Sequence, residues 1–298
     1  MIIEKDVPNM DNDPIKVKKK NVPQSTNKSL PLIYHTILLS GKKGAGKTYK
    51  IVKLLQSYEK SKIKDNNGTE YQMRTIIISP TAQSGANEVL KTLKSLDYET
   101  DVYNEYSDAI LLNILDDIKT KQKDWEAYLE YKKIYDKFIK VKDIDKMQWE
   151  ELEILELHDY MTPKECYGDI KPLITWILFD DLIGTGAFSR KMKSLISNLT
   201  IKHRHLQTNL IFTTQNYKSI PAILRVNMDI LVLFKTGSDT ELSKIFEDVS
   251  GYIKYDQFLQ LYEYATQGKN DALIIINNTM SKNGTSYYMN WDKELSFN

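Results

Sequence analysis

Eight consecutive residues constrain this chain more than anything else in it: Gly41, Lys42, Lys43, Gly44, Ala45, Gly46, Lys47 and Thr48. They fit G-x-x-x-x-G-K-[ST] in full. They stand between a β-rich run, residues 35–40, and a segment whose apolar residues Ile51, Val52, Leu54 and Leu55 recur at helical spacing. In that setting the glycines let backbone N–H groups turn inward, and the start of the following helix adds its positive end, so an anionic phosphate chain is the expected guest. The sequence therefore predicts a nucleotide seat formed by residues 41–48 with Tyr49 at its margin. Lys47 would reach the β- and γ-phosphates as a point charge, and the Thr48 hydroxyl would ligate Mg²⁺ beside ATP.

A loop of this kind needs a strand before it and a helix after it, and the rest of the chain repeats that alternation. Apolar runs at 75–79, 175–180, 209–214, 229–234 and 272–276 read as buried strands. Phe188, Met192, Leu195, Ile196 and Leu199 fit one face of a helix between two of them. Strands alternating with helices predict an α/β fold with a mainly parallel sheet covered on both faces. Residues 1–28 carry Pro8, Pro14, Pro23 and a basic cluster at Lys16, Lys18, Lys19 and Lys20, which reads as a flexible arm, either solvated or bound to a nucleic acid or another partner. The ATPase domain is then expected over 29–298. From Ala86 to Thr162 there is neither glycine nor proline, and this stretch reads as a helical insertion. Its aromatic stripe, Trp125, Tyr128, Tyr131, Tyr135 and Phe138, suits a packing face or, as the alternative, a base-stacking surface.

Three further motifs carry chemistry. Residues 177–181 are an apolar run ending in Asp180 and Asp181; in a P-loop protein the first would hold Mg²⁺ through its water shell and the second would orient the attacking water. Residues 210–215 end in Thr213, Thr214 and Gln215, and Gln215 is placed to hydrogen-bond the γ-phosphate or the water if this strand lies between the other two. Arg204, in a Lys-His-Arg-His run, and Arg225 are the candidates for a guanidinium supplied to a neighbouring subunit's phosphoryl group, unless they are ordinary ion-pair residues. Arg190, Lys191 and Lys193 make a basic edge beside Gly184 and Gly186, suited to a DNA backbone or simply the wet side of a helix.

The constellation resembles the FtsK/HerA superfamily of P-loop ATPases, and within it the DNA-packaging ATPases of large double-stranded DNA viruses of the poxvirus and giant-virus type. The matching pieces are the loop at 41–48, residues 77–81 (Ile-Ile-Ser-Pro-Thr), 179–181 (Phe-Asp-Asp), 204–205 (Arg-His), 214–215 (Thr-Gln) and 224–227 (Leu-Arg-Val-Asn). The resemblance implies an additional-strand, RecA/FtsK-like core, and a homo-oligomeric ring that drives double-stranded DNA into a capsid with ATP and Mg²⁺. It also implies contact with capsid or virion membrane proteins, at virus assembly sites in the host cytoplasm or in the virion. Cellular members usually carry Asp-Glu where this chain has Asp180-Asp181. A net charge of +1 gives no whole-protein field for a polyanion, so DNA would be met by local patches. One cysteine, Cys166, and four histidines exclude an intramolecular disulfide and a cysteine-rich zinc cluster, and suit a reducing compartment. No apolar run is long enough to span a bilayer, so a soluble protein is expected. A different FtsK/HerA-like or helicase-type DNA motor is the alternative reading. Residues 181–184 also satisfy the D-x-x-G pattern of G proteins, but no Asn-Lys-x-Asp guanine-reading motif occurs, which disfavours a GTPase.

Overall fold

Alternate residues of the apolar runs sort into two separate buried clusters. Leu38, Ile177, Phe179, Leu210, Phe212 and Leu231 belong to one, whereas Ile37, Leu39, Trp176, Leu178, Ile211 and Val232 belong to the other. A period of two with both faces apolar is what a sheet covered on both sides requires. The computed structural model describes residues 22–80, 99–141, 144–182, 185, 187, 188, 194–250, 253–277, 280, 281 and 286–297. The basic cluster at Lys16–Lys20, Thr81, Gly184, Gly186 and the basic edge at Arg190, Lys191 and Lys193 lie outside the described residues.

Eleven strands form one sheet among the described residues. They are β1 (Gln24–Ser25), β2 (Thr36–Ser40), β3 (Ile63–Lys64), β4 (Glu70–Ile78), β5 (Glu99–Tyr103), β6 (Leu173–Phe179), β7 (Thr208–Thr214), β8 (Ile230–Phe234), β9 (Ala272–Ile276), β10 (Tyr287–Met289) and β11 (Lys293–Leu295). The order is β1-β3-β4-β6-β7-β2-β8-β9-β10-β11, with β5 paired to β4 off this path. Strands β4, β6, β7, β2 and β8 run parallel, and β9 and β10 continue the sheet antiparallel. Helix α1 (Lys47–Ser61) covers one face through Ile51, Val52, Leu54, Leu55 and Tyr58. The other face is covered by α2 (Asp108–Lys140), α5 (Leu195–Lys202), α7 (Asp239–Val249) and α8 (Tyr255–Ala265). The remaining helices are α3 (Trp149–Leu157), α4 (Pro163–Tyr167) and α6 (Ala222–Arg225).

Two segments differ from the sequence reading. Gln24 and Ser25, inside the span read as an arm, pair with Lys64 and Ile63. The span read as a helical insertion contains a strand, β5, pairing parallel with β4 from Arg74↔Glu99 to Ile78↔Tyr103. Its polar sequence, Glu-Thr-Asp-Val-Tyr, has no apolar run to announce it. What holds it is Arg74 on β4, 6% exposed, whose Nη2 donates to Asp101 of β5 at 2.6 Å and whose Nη1 donates to Asp117 of α2. Further along α2, Tyr131 and Ile134 join Met147, just before α3, and Leu155, within it, in a small core of their own. Stripe aromatics pack beside it, Tyr131 lying 4.5 Å from the ring of His158.

Candidate nucleotide site at the carboxyl edge of the sheet

The parallel strands end together, and their last residues meet in one row. Gly41 N–H donates to the Thr214 carbonyl at 3.1 Å, and Asp180 N–H to the Ile78 carbonyl at 3.0 Å. Strand β7 lies between β2 and β6, paired to both. The tips of the three motif-bearing strands, at Gly41, Thr213–Gln215 and Asp180–Asp181, are therefore neighbours. In open α/β sheets ligands sit at this edge, outside the carboxyl ends of the strands.

The glycine loop is built to receive an anion. Gly46 is the N-cap of α1 in a left-handed conformation (φ 95°), with no side-chain cap and no acidic residue in the first turn. By contrast, Ser107, Ser194 and Ser238 cap the starts of α2, α5 and α7 with their hydroxyls. The first N–H groups of a helix need an acceptor, and an uncapped start leaves them for a ligand. A side chain at 46 would be strained by that φ and would meet Asn270 at 3.4 Å, while one at 41 would run into Phe234 at 2.7 Å. Lys47 Nζ donates to the carbonyls of Gly41 (2.5 Å) and Lys42 (3.2 Å), curled over the loop it belongs to. Burial draws its pKa below the ordinary lysine value, and the carboxylates of Asp181 and Asp180 oppose that shift, which sets all three groups in one electrostatic neighbourhood. Thr48 is half-buried, and Tyr49 is 63% exposed beside the loop.

The carboxylate pair is held by hydroxyls from both flanking strands. Asp180 Oδ2 accepts from Ser79 Oγ at 2.9 Å and Oδ1 accepts from Thr213 Oγ1 at 2.8 Å. Asp181 turns left-handed (φ 50°), its N–H donating to Thr213 Oγ1 at 3.0 Å and its Oδ2 accepting from Gln215 Nε2 at 2.6 Å. Ser79 and Thr213 have roles the sequence reading did not assign. Their signal was present: each is a hydroxyl residue that follows a run of three apolar residues, 76–78 and 210–212, in a strand adjoining the Asp-Asp strand.

The donor set fits magnesium. Thr48 and Asp180 offer oxygen only, and no cluster of three or more His, Cys, Asp or Glu suited to a metal exists among the described residues. A hard cation bound through one carboxylate, one hydroxyl and substrate phosphates is the Mg²⁺ pattern, whereas zinc would want nitrogen or sulfur ligands.

The two candidate arginines are both engaged in ion pairs inside the subunit. Arg204 precedes β7, and the direction of a parallel strand puts it at the opposite edge of the sheet, where Nη2 donates to Asp229 Oδ1 at 2.6 Å. Arg225 ends α6 buried within its own subunit. Its Nε donates to Asp248 Oδ2 at 2.7 Å, its Nη1 to the Ile220 carbonyl at 2.5 Å, and its guanidinium lies 5.3 Å from the Tyr217 ring centre. All three contacts lie within the Arg225 side chain's own subunit.

Strand order and loop together define the fold: a P-loop NTPase with an additional strand between the loop strand and the carboxylate strand. No protein-family model matches the chain, and no curated protein does. Among solved structures it is similar to B204, the DNA-packaging ATPase from Sulfolobus turreted icosahedral virus, at 14% identity and TM-score 0.48, covering 86% of this chain and 97% of that one. It is also similar to ATPases 2 and 3 of EssC from Geobacillus thermodenitrificans (14% identity, TM-score 0.47, 88% of this chain and 41% of that one). A third is the pCW3 conjugation coupling protein TcpA (11% identity, TM-score 0.43, 94% and 68%).

Proposed function

We propose that the chain hydrolyses ATP and uses the energy to move double-stranded DNA, as one subunit of a homo-oligomeric ring that packages a viral genome. The observation that carries the hydrolytic part is the position of β7, which brings Thr213 and Gln215 beside both the glycine loop and the Asp180–Asp181 pair. DNA, the ring, capsid or virion membrane contacts and a setting at virus assembly sites follow from the motif resemblance. No helix is long and apolar enough to cross a membrane among the described residues.

In this reading the N–H groups of residues 44–48 bind phosphate oxygens and Lys47 moves from the loop carbonyls onto the β- and γ-phosphates. Magnesium, when bound, neutralises charge on the transferred phosphoryl group. Thr48 and Asp180 would hold it. Asp181 orients the attacking water and accepts its proton, and Gln215, now on Asp181 Oδ2, is free to swing to the water or the γ-phosphate.

Lys47→Ala is expected to lower kcat by about 10²–10³-fold, the usual loss when one donor to developing charge is removed. The fold should persist, because among the described residues the Lys47 ammonium bonds to two loop carbonyls and to no core group. The assay is turnover of ATP against GTP, with and without duplex DNA, alongside circular dichroism. Wild-type turnover by the mutant would overturn the site assignment, and turnover indifferent to duplex DNA would count against the motor.

The two aspartates should fail differently. Asp180→Asn removes charge facing the metal and should weaken Mg²⁺-dependent ATP binding. Asp181→Asn should retain bound ATP while hydrolysis slows by about 10²-fold, since a base acts on the transition state. Equal loss of ATP affinity in both mutants would refute that division.

A further inference from the structure

We propose that Thr213 is the positioning residue of the carboxylate pair: a single hydroxyl that fixes Asp180 and Asp181 relative to one another. The inference rests on the ATPase reading and deepens it.

Thr213 is fully buried at the tip of β7, between β2 and β6. The residue two before it on the same strand face, Ile211, is apolar and packs in the core. Packing alone would therefore be met by valine at 213, which has threonine's shape. The hydroxyl does what valine's methyl cannot. It donates its one hydrogen to Asp180 Oδ1 at 2.8 Å, and its oxygen accepts the Asp181 N–H at 3.0 Å. A hydroxyl has one donor and two acceptor sites, so these two bonds fix its rotation and leave it no alternative donation.

Each bond restrains a different part of the pair. The first, with Ser79 on the other oxygen at 2.9 Å, clamps the Asp180 carboxylate from both sides and restricts its rotation. The second restrains the backbone turn at Asp181, where φ is 50° and no glycine relieves the strain. A left-handed non-glycine residue is costly and persists where its surroundings over-determine it. Gln215, two residues along the same strand end, adds the third link at Asp181 Oδ2. Metal ligand and base are thus both referred to the tip of β7, which also touches the loop through the bond from Gly41 to Thr214. Strand β7 acts as a template that keeps charge stabilisation and water activation in register.

The experiment compares Thr213→Val with Thr213→Ser in the full chain. Three quantities are read: kcat for ATP, the Mg²⁺ concentration giving half-maximal rate, and binding of a fluorescent ATP analogue with Mg²⁺ and with EDTA. Outer partners of metal ligands are worth about 10–100-fold in affinity or activity. Thr213→Val should lower kcat and raise the half-maximal Mg²⁺ concentration by factors in that range, while EDTA binding stays at the wild-type level. Thr213→Ser keeps the hydroxyl and should restore both. A merely structural role would move thermal stability but leave the Mg²⁺ midpoint unchanged. If the valine protein melts below the assay temperature, Thr213→Ala is measured in its place, with the same expectation. Wild-type kcat and Mg²⁺ midpoint in the valine protein, or a serine protein as impaired as the valine one, would overturn the proposal. If the wild-type chain bound but did not hydrolyse ATP, the hydrolytic reading would fail, and Thr213 would stand or fall on Mg²⁺-dependent binding alone.

Discussion

Arg225→Ala is expected to lower folding stability by about 3–5 kcal/mol, the usual cost of removing one partner from a buried ion pair. The guanidinium is 7% exposed and the Asp248 carboxylate 12%. Without Arg225, that carboxylate keeps the Tyr217 hydroxyl, which donates to it at 2.9 Å, but loses its countercharge. The Ile220 carbonyl loses a donor as well, and the Tyr217 ring loses the cation packed on its face. For a chain of this size the melting temperature should fall by roughly 10 °C. Asp248→Ala added to Arg225→Ala should then cost less than the two single losses summed, because removing the second partner removes the stranded charge. Thermal melts of the three proteins check this. A single mutant melting within a degree or two of wild type would show that the pair is dispensable.

How far the sequence could be read depended on how local each signal was. The glycine loop is contiguous, and its flanking strand and helix are announced by apolar periodicity, so β2, α1 and the loop fall close to where the sequence puts them. The central strands are apolar on both faces because helices cover both, and β6, β7, β8 and β9 follow for that reason. Strand β5 was hidden because its stability comes from one distant arginine, Arg74, rather than from an apolar run. The strands β1, β3, β10 and β11 are two or three residues long and carry no usable period. The arginines illustrate a subtler limit. That Arg225 is committed to Asp248, 23 residues away, is invisible without the fold. The edge on which Arg204 lies was in principle readable: a residue just before a strand parallel to β2 must sit at the end of the sheet away from the loop.

Location at the opposite edge does not disqualify Arg204 from acting in a neighbour. Rings are built from heterologous contacts, which join two different surfaces of the subunit, so a residue far from its own nucleotide site is a natural donor to the next one. The Arg204 side chain is 53% exposed, and it lines a cleft of about 620 Å³ with Tyr34, His205 and Gln207. Its bond to Asp229 occupies Nη2, and a guanidinium has five N–H donors. If Arg204 is the finger, Arg204→Ala should reduce the ATPase rate of the assembled protein by about 10³–10⁵-fold, the range found for such arginines. The change also strips the buried Asp229 carboxylate of its ion-pair partner, although Asp229 Oδ2 still accepts from the Thr36 N–H at 2.9 Å and the Thr36 hydroxyl at 3.0 Å. A thermal melt of Arg204→Ala therefore accompanies the assay, and the rate is read where the variant is folded. The decisive measurement is a mixture. Lys47→Ala protein keeps Arg204 but has a disabled loop, and Arg204→Ala protein keeps the loop but lacks the finger. Mixed rings contain interfaces where an intact loop faces an intact arginine, so part of the lost activity should return on mixing and rise with the share of such interfaces. Failure of any mixture to exceed its two components, with ring assembly verified by light scattering, would remove Arg204 from the mechanism. Full activity in dilute, monomeric Arg204→Ala protein would remove the requirement for a ring.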